Sequence, residues 1–462
     1  MSQRGVKPPS ENLNMAKKKL EKRIKQIQNY LANNNTADLV QFIKDSHPVD
    51  LGEIFNNLEK EERKKFITFF ELEKTASVLP EISPIFRKEI LSGIGDVRLA
   101  QILELMPSDN AAEILGGFSE KRRKQVLKLI KKEEAEDVSR LLEYKKDTAG
   151  RIMTLDFFSL RSEITVAEAI EELRKTDIHS IPYIYVVTDE NELIGVLPLK
   201  ILITTIPSTK LKEIVNKEII HVTTDVDQEE VANLVRKYNL RAIPVVDKIN
   251  KLVGIVTVDD ILDIVTEEAS EDIYHMAGIK EKENGLLRRS IPVVVRLRLP
   301  WLIICLVGGM IAAGVVAVFE ETLAAIIILA FFMPIIMQTG GNIGTQSSTI
   351  VTRGLATGSI DIKDMWKLLW RELLIGLLIG VICGVAIGAI AQIWKGTPDL
   401  GIVVGVSMAA TVTVAAFLGA FLPLIFHRFG VDPAVASGPA ITTLKDITGL
   451  LIYFTTATLI ML

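Results

Sequence analysis

From Pro300 onward the chain nearly stops carrying charge, and this change constrains its fold more than any other feature. A bilayer core needs about 20 consecutive, mainly apolar residues per helix. Five stretches reach that length: 301–319, 323–352, 366–394, 400–427 and 433–461. The second and third are long enough to tilt or break, and Pro334 and Gly340-Gly341 interrupt the second. Before Arg298 the 462-residue chain is densely charged, so it reads as a cytosolic half joined to a multi-pass membrane half.

The flanking charges orient the spans. Arg288, Arg289, Arg296 and Arg298 precede the first, Arg353, Lys363, Lys367 and Arg371 surround the second connection, and Arg428 ends the fourth. The other connections carry Glu320, Glu321, Lys395 and Asp399. The positive-inside rule then puts the N-terminus in the cytosol and the C-terminus outside the cell membrane. No apolar core with a small-residue cleavage site opens the chain, so a cytoplasmic start is expected.

Several function classes are disfavoured. A net charge of −4 and the lack of a recognition motif argue against nucleic acid as a partner. Cys305 and Cys383 lie in apolar spans and suggest neither a disulfide framework nor a zinc site. His47, His179, His221, His275 and His427 are scattered, and none begins the H-E-x-x-H helix of a zinc protease. No G-x-x-x-x-G-K-[ST] loop is present for ATP-driven transport, so no enzyme is expected.

Within the last span lies Asp446. A carboxylate near the bilayer centre costs about 2.5–3.5 kcal/mol on insertion scales, so it is seldom present without a cation, a partner or a water-filled path. Helical spacing sets Thr442, Thr443, Asp446, Gly449 and Tyr453 along one side. Lys445 points about 100° away and reads as a poor partner within its own helix. Asp446 is therefore expected to be an ion site, the alternatives being a protonated acid or a pair with Lys445. In the second span Asn342, Gln346 and Thr349 recur at i, i+4 and i+7, among Gly340, Gly341 and Gly344. They fit an ion path or a polar seam between helices.

In the soluble half, residues 1–145 show helical periodicity without convincing strands. A weak repeat, EIFNNL at 53–58, QILELM at 101–106 and EILGGF at 113–118, suggests a stacked helical array. From 150 to 266 β-branched runs alternate with helical ones. IYVVTDENELIGVLPLKILI is answered by IPVVDKINKLVGIVTVDDILDIV, with Gly195 and Gly254 as matching turn glycines. These copies resemble a tandem pair of cystathionine-β-synthase (CBS) domains. The second carries a G-h-h-T-x-x-D segment from Gly254 to Asp260, which in nucleotide-binding members sets a Thr on phosphate and an Asp on ribose. The first, GVLPLKI, lacks both groups, so Thr257 and Asp260 are the ATP-binding candidates, against the reading that this pair binds no nucleotide.

Seven carboxylates run from Asp259 to Asp272 with no Lys or Arg before Lys280, and DVDQEE adds Asp225, Asp227, Glu229 and Glu230. A solvated acidic helix is the bland account. A helix of unneutralised acids running toward a membrane also suits divalent cations, which prefer hard oxygen ligands. Residues 273–297 read as an amphipathic, basic link to the first span.

PIIMQTGGNIGTQSST, VDPAVASGPAITTLKDITGLLIYF, the CBS pair and the helical array occur here in the order found in MgtE-type magnesium transporters, which the whole chain resembles. The resemblance implies a multidomain membrane protein: an all-α N domain (1–145), an α+β CBS pair (146–272, copies 146–206 and 207–272), a connecting plug helix (273–298) and five transmembrane helices (299–462). It implies a homodimeric Mg2+ channel importing Mg2+, with the pore at the subunit interface and closed by cytosolic Mg2+. The pore carboxylate falls on Asp446 and the inner-mouth acid on Asp432, with Asn342, Thr442 and Thr443 touching the ion's water shell. The Mg2+-sensing acids fall on Asp260, Asp263, Glu268 and Glu271, with Asp259 and Asp272 close by. Asp109 and Glu113 match the N-domain acids, although Asn110 stands where an acid is common. Lys445 departs from the small polar residue usual beside the pore acid. A transporter of Co2+ or Mn2+ and a membrane-anchored cation sensor are the other readings.

Overall fold

The computed structural model describes residues 9–176, 183–279 and 290–462, in two compact units that divide between Ile264 and Val265. His179, Arg288 and Arg289 lie outside the described residues. Up to Glu143 the described chain is helical, from Pro9–Ala32 to Lys132–Glu143. Local signals start these helices: Asn35 accepts from the Asp38 amide, Pro48 opens the next, and Glu59 and Glu62 form a capping box. The weak repeat marks the core, since Ile54, Phe55, Ile102, Leu103, Ile114 and Leu115 are all buried. Each short helix buries one apolar stripe against its neighbours.

Two small sheets follow. In the first, β1 (Ser159–Arg161) runs parallel to β2 (Ile184–Val187), which pairs antiparallel with β3 (Leu193–Leu197). The second repeats this with β4 (Val222–Thr223), β5 (Ala242–Val246) and β6 (Leu252–Thr257). Tyr185, Val187 and Leu193 pack with Ala242, Val246, Leu252 and Ile255 where the copies meet.

Gly195 and Gly254 are not turn residues. They sit inside β3 and β6 opposite Val186 and Val245, where another segment passes close to the strand. A Cβ would lie 2.2 Å from the Asn216 carbonyl oxygen at Gly195, and 2.6 Å from Met153 Sδ at Gly254. The turns belong to Asn191 and Asn250, at φ +70° and +61°, a left-handed conformation that asparagine tolerates. Their amides cross over: Asn191 donates to the Leu252 carbonyl and Asn250 to the Leu193 carbonyl.

The expected separate helix over 273–298 is not what the described residues form. Residues 273–276 finish the long helix Val258–Met276, which starts directly after β6, and Gly278 at φ +72° follows it. Ser290 stands at the N-cap position of the next helix, Ile291–Val318. Residues 280–289, between the two, lie outside the described residues.

In the second unit the long helices are Ile291–Val318, Leu329–Ala356, Met365–Lys395, Pro398–Arg428 and Pro439–Met461. Four of the described helices are long and apolar enough to cross a membrane, against five expected. Leu329–Ala356 has the length, with 28 residues, but its QTGGNIGTQSST run makes it too polar. Met365–Lys395 and Pro398–Arg428 meet along a glycine seam. A Cβ on Gly380, Gly384 or Gly388 would fall 2.6, 2.4 or 2.6 Å from the carbonyl oxygens of Ala409, Gly405 and Gly401. Small residues let membrane helices approach to backbone contact in this way.

Candidate ion site and regulatory carboxylates

Asp446 lies on Pro439–Met461 with its side chain about one-third exposed. Its partner is the residue judged unsuitable from helical spacing. The Lys445 ammonium lies 3.0 Å from Asp446 Oδ1 and donates to the Met337 carbonyl at 2.9 Å, with 8% of the Lys445 side chain exposed. Angular separation on a helix governs short side chains, whereas a four-carbon stem folds back over its neighbour. The opposite helix makes room, since a Cβ on Gly341 would stand 2.4 Å from Nζ.

The expected stripe splits in two. Thr442 is exposed and returns its hydroxyl to the Gly438 carbonyl at 3.0 Å. Thr443 packs against Gly308, and Tyr453 is fully buried, donating to the Leu329 carbonyl at 2.9 Å. On Leu329–Ala356, Asn342, Gln346 and Thr349 are all exposed, so one chain leaves a polar stripe of a bilayer-length helix uncovered.

A further acid inside an apolar span is Glu372, which directly follows Arg371 in the sequence. It is 5% exposed and accepts from Ser347 at 2.8 Å. Its position inside an apolar span was the available signal.

Asp432 caps the short helix Pro433–Ser437 through the Ala434 amide at 2.7 Å, and its other oxygen meets His275 Nδ1 at 2.6 Å. Nε2 of His275 lies 3.6 Å from Glu271 Oε1. Burial, and then the charges of Asp432 and Glu271, push the nearby Asp272 carboxyl up to about 6, against the pull of Arg353 and His275. Sequence reasoning considered His275 only as a zinc ligand, although its i+4 spacing from Glu271 was visible. Glu268, on the same helix, is half-buried.

In the first unit β6 ends at Thr257, and the next helix places Asp260 in its first turn. The Thr257 hydroxyl therefore donates to Asp260 Oδ2 at 2.6 Å. Burial raises the Asp260 pKa, and Asp259 and Asp263 add to this against the Thr257 hydrogen bonds. The Asp263 carboxyl is raised by burial and then by Glu113 and Asp259. Asp109 is shifted furthest: burial, followed by the Asp260 charge, pushes it up to about 7. Its Oδ1 meets no donor among the described residues. Asp156 and Asp137, not singled out from sequence, belong to the same electrostatic neighbourhood. Glu113 is paired with Arg87 at 2.8 Å.

Not all the acids act together. Asp225 accepts from Thr223, and Asp227 caps Gln228–Tyr238, so part of the DVDQEE run has local structural work. Among the described residues no three His, Cys, Asp or Glu side chains are grouped to hold a metal.

Comparison with known proteins places these features in one lineage. Residues 333–456 match the profile of MgtE, a divalent cation transporter, residues 46–147 that of the MgtE intracellular N domain, and 149–208 and 211–267 that of the CBS domain. The chain is 38% identical over 447 residues to the magnesium transporter MgtE of Thermus thermophilus, covering 96% of this chain and 99% of that protein. With the Bacillus subtilis magnesium transporter MgtE it shares 35% over 430 residues, or 93% and 95% of the two chains. A crystal structure of the cytosolic domain of the Mg2+ channel MgtE in complex with ATP is 36% identical with a TM-score of 0.49, covering 52% of this chain and 99% of that one.

Proposed function

Because the chain belongs to the MgtE family of magnesium transporters, we propose that it is a Mg2+-selective, channel-type importer whose conducting acid is Asp446. It is a multi-pass magnesium transporter with cytosolic N and CBS regulatory domains. One observation carries the proposal: a partly exposed carboxylate on an apolar helix, near a bilayer-length helix that leaves Asn342, Gln346 and Thr349 uncovered. Lipid is a poor neighbour for such groups. A second copy facing this surface would cover them and enclose a wet path, with two Asp446 side chains facing one dication.

In this reading Leu329–Ala356 is the fifth span and lines the path. The N-terminus is cytosolic and the C-terminus outside. Mg2+ sheds its waters reluctantly, so Asp446, Asn342, Thr442 and Thr443 act through the hydration shell rather than as inner-sphere ligands. Asp432 gathers cations at the inner mouth.

Closure by internal Mg2+ draws on acids that lack enough cations of their own. Asp109, Asp260, Asp263 and Asp272 are all raised above the ordinary carboxylate value, first by burial and then by neighbouring acids, with Asp432 and Glu271 acting on Asp272. Mg2+ would favour a compact, closed state by relieving that repulsion, with Asp259, Glu268, Glu271 and Glu113 contributing. The Thr257–Asp260 pair at the head of the same helix is the place for ATP as a regulatory ligand. The deciding experiment is flux through purified protein in vesicles, with Mg2+, Co2+ and Mn2+ compared side by side. Asp446→Ala should abolish Mg2+ uptake in a folded dimer, and wild-type uptake in that variant would reject the assignment.

A further inference from the structure

We infer that Lys445 is a specificity-determining residue: its ammonium, held from behind, occupies one oxygen of Asp446 and so disfavours the dications that coordinate carboxylates directly. The inference rests on the reading of Asp446 as the conducting acid. Nζ is fixed at two points, 3.0 Å from Asp446 Oδ1 and 2.9 Å from the Met337 carbonyl on the facing helix. The side chain that carries it is 8% exposed, so the ammonium is not free to swing into the path. Gly341 supplies the berth, since any Cβ there would stand 2.4 Å from Nζ.

The chemistry of the two commonest hard dications then separates them. Ca2+ exchanges its waters easily and takes carboxylates in mono- or bidentate fashion at about 2.3–2.6 Å, while Mg2+ keeps several waters. Bidentate coordination needs both oxygens of Asp446, and Oδ1 is committed to the ammonium. A hydrated Mg2+ needs only an outer-shell contact, which the other oxygen can give. The ammonium also cancels much of the acid's charge, which weakens retention of the ion and favours its release.

Lys445 is thus a counter-ion rather than a ligand, and its removal should affect affinity and maximal rate differently. The test is Mg2+ uptake by the full-length protein in vesicles, with added Ca2+ as competitor. Lys445→Met and Lys445→Gln should lower half-saturating Mg2+, reduce the maximal rate, and make Ca2+ inhibition about tenfold tighter. Gln can keep the bond to the Met337 carbonyl without the charge, so a merely structural role would leave it like wild type. Gly341→Ala displaces the ammonium without deleting it and should shift Ca2+ inhibition in the same direction. Unchanged Ca2+ inhibition in all three variants, each eluting and melting like wild type, would overturn the inference. Asp446→Ala run in parallel separates the two readings. If it loses uptake while the Lys445 variants change nothing, only the counter-ion role fails; if it keeps uptake, the pore assignment itself fails.

Discussion

Asp446 lies 3.0 Å from a lysine, whereas Asp109 lies half-buried, with one shielded oxygen lacking a donor among the described residues and with the charges of Asp260 and Asp156 acting on it. Both carboxylates are largely withdrawn from water, and each must be compensated. In the membrane the compensation is a covalently attached cation that is always present. In the cytosolic unit it is left to protons or metal, so the carboxyl rises to about 7. A built-in counter-ion suits a site through which ions must pass, while a missing one suits a site that must register whether ions are there. On the proposed reading, conduction and sensing would use the same functional group and differ in who supplies the positive charge.

The largest effect expected is at the acid in the path. Asp446→Ala should cut Mg2+ flux by on the order of a hundredfold, since the path loses the carboxylate proposed to face the ion and leaves the Lys445 ammonium unbalanced. Asp432→Ala should cost only a few-fold, roughly, because the role proposed for that acid is to concentrate cations at the mouth and it already has His275 as a partner. Equal losses from the two variants would erase the distinction between conducting and gathering acids.

The sensing side is probed next by Glu268→Gln combined with Glu271→Gln. Conduction at low internal Mg2+ should survive, and the midpoint of inhibition should move about fivefold or more upward, as for a typical coupling between sites. Patch recording with stepped internal Mg2+ reads it. An unmoved midpoint would detach these residues from sensing.

A smaller effect is expected in the pH dependence of stability. Asp109 titrates near 7 in the folded protein and near 3.8 when free, so the folded form binds the extra proton between those values. Stability therefore falls as pH rises through that window, and Asp260, Asp263 and Asp272 act with the same sign. Without Mg2+, Asp109→Asn should raise the melting temperature at pH 8 by roughly 5 °C and leave it unchanged near pH 4. A gain of equal size at both pH values would mean that the carboxylate is not the strained group.

A separate change is expected at the nucleotide candidate. Thr257→Ala should weaken ATP binding to the full-length protein by a factor of about ten, the worth of one charge-assisted hydrogen bond. Calorimetry in which the wild type gives no heat with ATP would remove this role.

Features that depend on periodicity were legible in the sequence. The helical array, the duplicated strand–turn–strand pattern and the apolar helices all follow from which residues recur at two, three or four positions. The placement of Asp446 within an apolar helix and the approach of Thr257 to Asp260 were legible for a related reason, because a charge in an apolar run and a threonine three residues before an aspartate need no third dimension. What escaped depended on reach and on contact between distant segments. Lys445 curls along its own helix because Gly341 on another helix leaves a space. Asp156 and Asp137 join Asp109 through folding of segments that sequence spacing cannot relate. Gly195 and Gly254 were correctly matched as a pair but assigned to turns, since a glycine that admits a passing backbone looks in sequence like one that reverses the chain.

The glycine seam between Met365–Lys395 and Pro398–Arg428 has a mechanical meaning. At Gly380, Gly384 and Gly388 the nearest opposing atoms are backbone carbonyls, so the contact there depends little on side-chain rotamers. Such close backbone packing makes the two helices costly to separate. In the proposed importer this seam would stay together as the passage widens or narrows, leaving movement to Leu329–Ala356, which contains Pro334, and to Pro439–Met461, which holds the charged pair.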